Sequence, residues 1–592
     1  MDMDMNMNHH TSLKTATHPG NAGNRPTYNW NLQTSNHGPE TIARPGGYSI
    51  LLRQESKDMN VPSMINEKDD SSGSSQDCSK LEETPSKRFF KFFNCCANTN
   101  VISSTNGSST SVSLNVLERK SKILSYKRGI WLSKNSIISQ YSRMQRLVVE
   151  IHACLDNLVR VPVSDEEVES WACLIYESMS APSRTFHGVQ HVFDISHEAD
   201  DIQKLSAFFH DCIYYTIDGA LSPEQSRILD GIIVEKDDIV CLTENNLEPN
   251  MEMVTTIFGF EKGQKLNPFL GLNEFLSAAL AVRCYVSVLD STDLAKIATC
   301  IEATIPFRGK DENGLGPMNH LYNRLEKANE MHDLGMSRKT IVESVQRAAD
   351  LGNRDASNFA LADRAVFLSN TWNLLPESNI SLRNNQVFRI SDFTHALKKM
   401  TDFFNNLQPD DIYTSFQNVP DEKYVAELTK QATINVNTAL KYMHCKKLSI
   451  SVLAAFAVLT GGDAPVAMFL GDLPDPEYVS PSIEDFVTVK KKAEGVKLDV
   501  TVFQLLKNGR ERESDFDIKK SPLAAFLYAR IGDAGLKESL TYCIYPMDKL
   551  HANELLKSLP KYCVAEIGGA CARIAITRSE ALRDVVRKLN EK

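Results

Sequence analysis

Two short stretches, FHGVQHVFDI beginning at Phe186 and FFHDCIYY beginning at Phe208, put ionisable groups where a helical core has to bury them. His187, His191, His197 and His210 are four of the chain's 14 histidines, and all lie between residues 187 and 210. His187 and His191 are four apart, so a helix presents both on one face, with Asp194 further along it. His210 and Asp211 sit within KLSAFFHDCIYYT, flanked by Leu205, Ala207, Phe208, Phe209, Ile213 and Tyr214. A carboxylate buried there needs a cation or a paired donor beside it. Neutral imidazole and carboxylate together are the ligands of Zn, Fe, Mn or Co. Adjacent residues on a helix point about 100° apart, so His210 and Asp211 reach one centre only if several helices surround it. The chain is therefore expected to fold as a helical bundle around a metal.

A fourth ligand has to come from elsewhere. RAADLGNRDAS at 347–357 offers Asp350 at the end of an apolar helix that includes Ile341, Val342, Val345, Ala348 and Ala349. Asp350 is the preferred candidate, with Asp355 and Asp363 as nearby competitors. His197 reads as a surface or supporting residue.

In this order, His-x-x-x-His-x-x-Asp-Ile, then His-Asp, then Ala-Asp-Leu-x-Asn resembles the HD superfamily of metal-dependent phosphohydrolases, cyclic-nucleotide phosphodiesterases among them. Arg184-Thr185-Phe186-His187, Phe-His-Asp-x-x-Tyr and Glu224-Gln225-Ser226 are closer to small bacterial HD phosphohydrolases. The resemblance spans roughly 145–375. It implies that His191, His210, Asp211 and Asp350 hold a divalent ion (Mn, Fe, Mg, Co or Zn), with Asp211 able to bridge to a second ion. It implies His187 as the general acid for the leaving oxygen and Arg184 as a fork for phosphate near the pocket entrance. The Glu302-Ala303-Thr304 segment would line the pocket wall. The family's usual Asn after the first His is Gly188 here, and its Pro-Gly after His-Asp is missing, so the metal chemistry transfers better than the substrate. The implied activity is hydrolysis of a nucleotide or other small phosphate mono- or diester by metal-activated water. The rivals are a non-hydrolytic HD-fold nucleotide sensor and, more remotely, a di-iron oxygenase needing extra ligands such as His320 or His332.

Length and composition set the rest. With 592 residues and 42% hydrophobic content, two or three folded units are expected. The net charge of −10 arises beyond residue 120, because 1–120 holds twelve basic and twelve acidic residues. No basic stripe suggests nucleic acid. Thirteen cysteines, single apart from Cys95-Cys96 and without C-x-x-C, read as reduced thiols of a cytoplasmic protein. The Asn-, Ser-, Gly- and Pro-rich segment 1–120 has too little apolar area for a core and is expected to be a disordered tail without a secretory signal. Within it, Lys87, Arg88, Phe89 and Phe90, with Cys95 and Cys96 beside them, suggest peripheral contact with an anionic membrane and acylation.

The fold expected is mainly α: an HD-type domain over 140–378, then a C-terminal helical region over 385–592 ending in a small α+β module. That module would comprise strands at 540–545, 562–567 and 571–577, with helices at 547–558 and 578–590. The apolar stretch 448–473 is broken by Gly461-Gly462 and Pro465, and reads as a buried helix, a stop and a second short helix rather than a membrane span.

Overall fold

Capping chemistry places the helices that matter most. Asp200 accepts from the Gln203 amide N–H at 2.9 Å, and the Gln203 side chain accepts from the Asp200 N–H at 3.1 Å. This reciprocal cap starts helix Asp201–Phe209, which delivers His210 and Asp211 at its far end. Ser164 and Glu167 cap Asp165–Met179 in the same way. Ser337 caps Arg338–Asp355, accepting from Thr340 N–H. The computed structural model describes residues 141–591 apart from 160–161, 237–238, 384–387, 476 and 490–491. The segment 1–120, with the Lys87–Cys96 island, lies outside the described residues.

The described part is mostly helical. Its one sheet among the described residues is an antiparallel hairpin, Ile233–Lys236 with Ile239–Leu242, in which Ile233 pairs with Leu242. Two apolar cores follow one another along the chain. The first is built from Arg143–Leu158 through Arg338–Asp355, with Phe208, Phe209, Leu276, Ile301 and Val345 at its centre. The second surrounds the 39-residue helix Glu422–Thr460. Helix Arg364–Ser378, assigned from sequence to the first region, buries Phe367, Leu368, Trp372 and Leu375 in the second core instead. The changeover falls at the 3₁₀ turn Ala356–Ala360.

Helix Glu422–Thr460 ends where Gly461 and Gly462 take positive φ (148° and 96°), and the short helix Ala467–Leu470 follows, as expected. By length and composition alone Glu422–Thr460 could cross a membrane, yet 72% of its most apolar window is buried within the protein. It is a core helix.

The expected strands at the C-terminus are wrong. Residues 562–567 lie in helix Lys561–Ile574, 540–545 continue from the end of helix Pro522–Leu540 into a turn, and 571–577 run through a helix end into a 3₁₀ turn. Cys563, Val564, Ile567, Cys571 and Ala572 are spaced three and four apart and form one buried helix face. Gly568 lets this helix press close, because a Cβ there would meet Phe456 and Val586. The helices expected at 547–558 and 578–590 are present as Lys549–Ser558 and Ser579–Glu591.

Candidate metal centre

The site forms where three helix ends of the first core meet. His191 lies in the first turn of Val189–Ser196, His210-Asp211 follow Asp201–Phe209, and Asp355 ends Arg338–Asp355. Ligand atoms of His191, His210 and Asp211 all lie within 4.8 Å of one another. His191 Nε2 is 3.0 Å from Asp355 Oδ1 and 3.7 Å from Asp211 Oδ2. His210 Nε2 is 3.1 Å from Asp211 Oδ2 and 3.6 Å from Asp355 Oδ1. Ligands about 2.1 Å from a six-coordinate ion are about 3 Å apart along an octahedral edge, so this spacing suits one ion.

The donor set passes a second test. His210 Nδ1 donates to the Ala207 carbonyl at 2.8 Å, which turns Nε2 into the site. His210 Nε2 and Asp211 Oδ2 are both buried, and neither makes a hydrogen bond. Burial alone would lower the His210 pKa, but Asp211 and then Asp355 raise it well above the usual value. Burial would likewise raise the two carboxyls. The histidines overcome it, holding both Asp211 and Asp355 below the usual carboxylate range. His191, His210 and Asp211 form a compact triad, Asp355 stands beside both imidazoles, and carboxylate with imidazole is a donor set suited to a divalent cation.

Asp350 is not part of this group, contrary to the sequence expectation. Its Oδ2 accepts from Gln203 Nε2 at 2.9 Å and from Arg354 Nε at 2.7 Å. Five residues of helix turn Asp355 about 140° away from Asp350, so only one of them can face the histidines. The rotation is set by packing. A Cβ on Gly352 would lie 2.6 Å from the Ala303 carbonyl oxygen, so only glycine lets the helix come this close to the end of Ser291–Glu302. Asn353 then exchanges two 2.8 Å hydrogen bonds with Thr414, and Tyr413 donates to the Ala356 carbonyl.

Arg184 also departs from expectation. Its side chain is fully buried and forks onto Asp218 through Nε (2.9 Å) and Nη2 (2.7 Å), while Nη1 donates to the Asp211 carbonyl at 2.9 Å. A guanidinium engaged this way braces the backbone of Asp211 and is not free for phosphate. Gln225, from the Glu-Gln-Ser motif, braces the same loop by donating to the Cys212 carbonyl.

His187 does stand beside the cluster, its ring edge-on to His191 with centroids 5.7 Å apart. Its Nδ1 donates to Glu377 Oε2 at 2.7 Å, and Glu377 Oε1 accepts the N–H groups of Phe186 and His187. Burial acts to lower the His187 pKa, but Glu377 and Asp211 raise it overall. Glu377 is 3% exposed, and although burial works against its charge, His187 and the two backbone donors keep its carboxyl below the usual range. Nothing in the sequence reading singled out Glu377. The available signal was a Glu following Pro376 within an apolar helix.

The chain matches no family model, no curated protein and no solved structure.

What the site can do is therefore decided by its own geometry. The remaining sequence candidates are elsewhere. His197 and Asp194 are exposed, Asp363 caps Arg364–Ser378, and His320 pairs with Asp311. Glu302 is buried between Arg308 and Arg324.

Glu274 is a further acid that sequence reasoning missed. It lies on Leu272–Tyr285 between Asn273 and Ser277, which accept from the N–H groups of Tyr215 and Ile213 just after Asp211. Its Oε2 is buried with no hydrogen-bond partner. Burial, then the charges of Asp211 and Asp355, push its carboxyl up to about 8, against its own backbone N–H and Arg308. This has a measurable consequence. Below pH about 4.5 folded and unfolded chains both carry the proton. As pH rises, the unfolded chain releases it while the folded chain holds it until about 8, so folded stability falls across that window. Glu274→Gln is expected to remove the loss, leaving the metal-free variant more stable by about 3 kcal/mol at neutral pH and equal to the parent near pH 4. Denaturant melts across pH measure this, and parallel stability curves would count against it.

Proposed function

We propose that this protein is a metal-dependent phosphohydrolase acting on a nucleotide or another small phosphate ester. The observation that carries the reading is the close approach of His191, His210 and Asp211, with Asp355 beside both histidines and with His210 Nε2 and Asp211 Oδ2 buried and without a hydrogen bond. The resemblance of the His and His-Asp motifs to the HD phosphohydrolases supports it. A bound divalent ion would polarise a phosphoryl oxygen and lower the pKa of water. The protein's own part is the rest of the chemistry. His191, His210, Asp211 and Asp355 would hold that ion. His187, held at Nδ1 by Glu377, presents its other nitrogen and gives up a proton to the departing oxygen. Arg184 and Gln225 keep the loop carrying Asp211 rigid, so the group to be attacked is held in place. Phe186 and Tyr214 flank His187 and limit water around it. The same reading places the chain in the cytoplasm, where its thiols stay reduced.

The test is direct. The full chain loaded with Mn²⁺ is screened against phosphomonoesters and phosphodiesters. Metal-dependent turnover that disappears in Asp211→Ala and survives in His197→Ala is the expected result. Tight nucleotide binding without turnover of any ester would replace the hydrolase with a sensor.

A further inference from the structure

The second core buries a charge imbalance beside a cavity. Apart from Glu377, which His187 engages, the buried ionic groups described in this core are Lys446, Arg510 and Asp517, at 7%, 3% and 6% exposure. Two cations therefore share one carboxylate. A single oxygen, Asp517 Oδ2, accepts from Lys446 Nζ at 2.9 Å, from Arg510 Nη1 at 3.3 Å and from Trp372 Nε1 at 3.0 Å. Arg510 Nε is buried without a partner. The faces of Trp372 and Phe393, each 5.5 Å from Lys446 Nζ, offset part of the excess positive charge. They cannot accept the remaining N–H bonds of an ammonium, which has three donors.

Lys446 also lines a cavity of about 250 Å³. Asp517 lines it as well, and the rest of its wall is mostly apolar, with Phe388, Phe393, Ile450, Leu453, Leu470 and Phe516 prominent. The charged residues at its rim, Asp472, Glu484, Glu513, Lys519 and Lys520, are of mixed sign and mostly exposed, so solvent screens them. A buried cation with unused donors at the edge of an apolar chamber is complementary to an anion carrying an apolar body. The chamber is larger than the roughly 150 Å³ that holds a benzene, which sets the body at on the order of ten carbons.

We infer that this cavity is a binding site for a small amphipathic carboxylate, of the medium-chain fatty acid class, with its headgroup on Lys446. The carboxylate supplies the negative charge that Asp517 alone does not, and the tail replaces water against Phe393, Leu453 and Leu470. The site belongs to the second core and does not depend on the hydrolase reading. Its link to the metal centre is Trp372, which shares helix Arg364–Ser378 with Glu377.

Calorimetric titration of the full chain with decanoate, and with decanol as the uncharged counterpart, tests the inference. Saturable binding of one decanoate per chain is expected, with decanol at least 10-fold weaker. Lys446→Met should weaken decanoate at least 10-fold and leave decanol unchanged. Leu453→Trp, which fills the chamber, should abolish both. Equal affinity for acid and alcohol, undiminished decanoate binding in Lys446→Met, or no saturable binding below the micellar range would each overturn it. The acid–alcohol comparison and Leu453→Trp stay informative even if Lys446→Met folds poorly.

Discussion

Asp355→Asn is expected to weaken retention of a divalent ion by at least about 100-fold, while Asp350→Asn leaves bound metal unchanged. The contrast is large because the two aspartates share a helix but not a direction. Asp355 Oδ1 lies 3.0 Å from His191 Nε2 and 3.6 Å from His210 Nε2, so it would serve as the fourth ligand of the proposed ion. An amide in its place keeps the shape and removes the negative charge that a hard cation requires. Asp350 instead links Gln203 and Arg354. Its loss leaves Gln203 still donating to the Arg347 carbonyl, so about 1 kcal/mol of stability is at stake rather than the metal. Elemental analysis after dialysis against Mn²⁺, with thermal melts of both variants, separates the two roles. If Asp350→Asn lost the metal and Asp355→Asn kept it, the ligand set described above would be wrong.

The second large effect concerns His187. Replacing it with Ala should lower kcat on an alkyl phosphate ester by about 10²–10⁴, the range for losing a positioned general acid. On a nitrophenyl ester, whose leaving group departs without a proton, the loss should shrink to a few-fold. Glu377→Gln should fall between, because its Oε1 can still accept from Phe186 and His187 while the charge that raises His187 is gone. Metal content should stay at the parental level in both. An equal loss on both esters would show that His187 only shapes the site.

Part of the candidate metal centre could be read in advance for a local reason. His187 and His191 are one helical turn apart, and His210-Asp211 lie in an apolar run that a helix would bury, so short-range geometry singled out each pair, and the resemblance to the HD phosphohydrolases joined His191 to His210 and Asp211. Gly461-Gly462 likewise foretold the break after Thr460. Where two helical rotations were open, that reasoning stopped. Asp350 and Asp355 are equally good donors in sequence, and the close approach of Gly352 to Ala303 selects between them. Arg184 looked free until Asp218, thirty-four residues on, closed around it. The short apolar runs at 562–567 and 571–577 fit either a strand or a helix. Packing on Phe456 and Val586 decided for helix.

The sequence by itself determined that the described chain is mainly helical and that His187 and His191 stand one helical turn apart, because both follow from spacing within a turn or two. Only the tertiary structure decided that Asp355 rather than Asp350 stands beside His191 and His210, that Glu377 from the neighbouring core holds His187, and that the charges of Asp211 and Asp355 bear on Glu274. Those choices depend on how helices far apart in the chain rotate and press against one another. That is settled by close packing over the whole core, which no local pattern encodes.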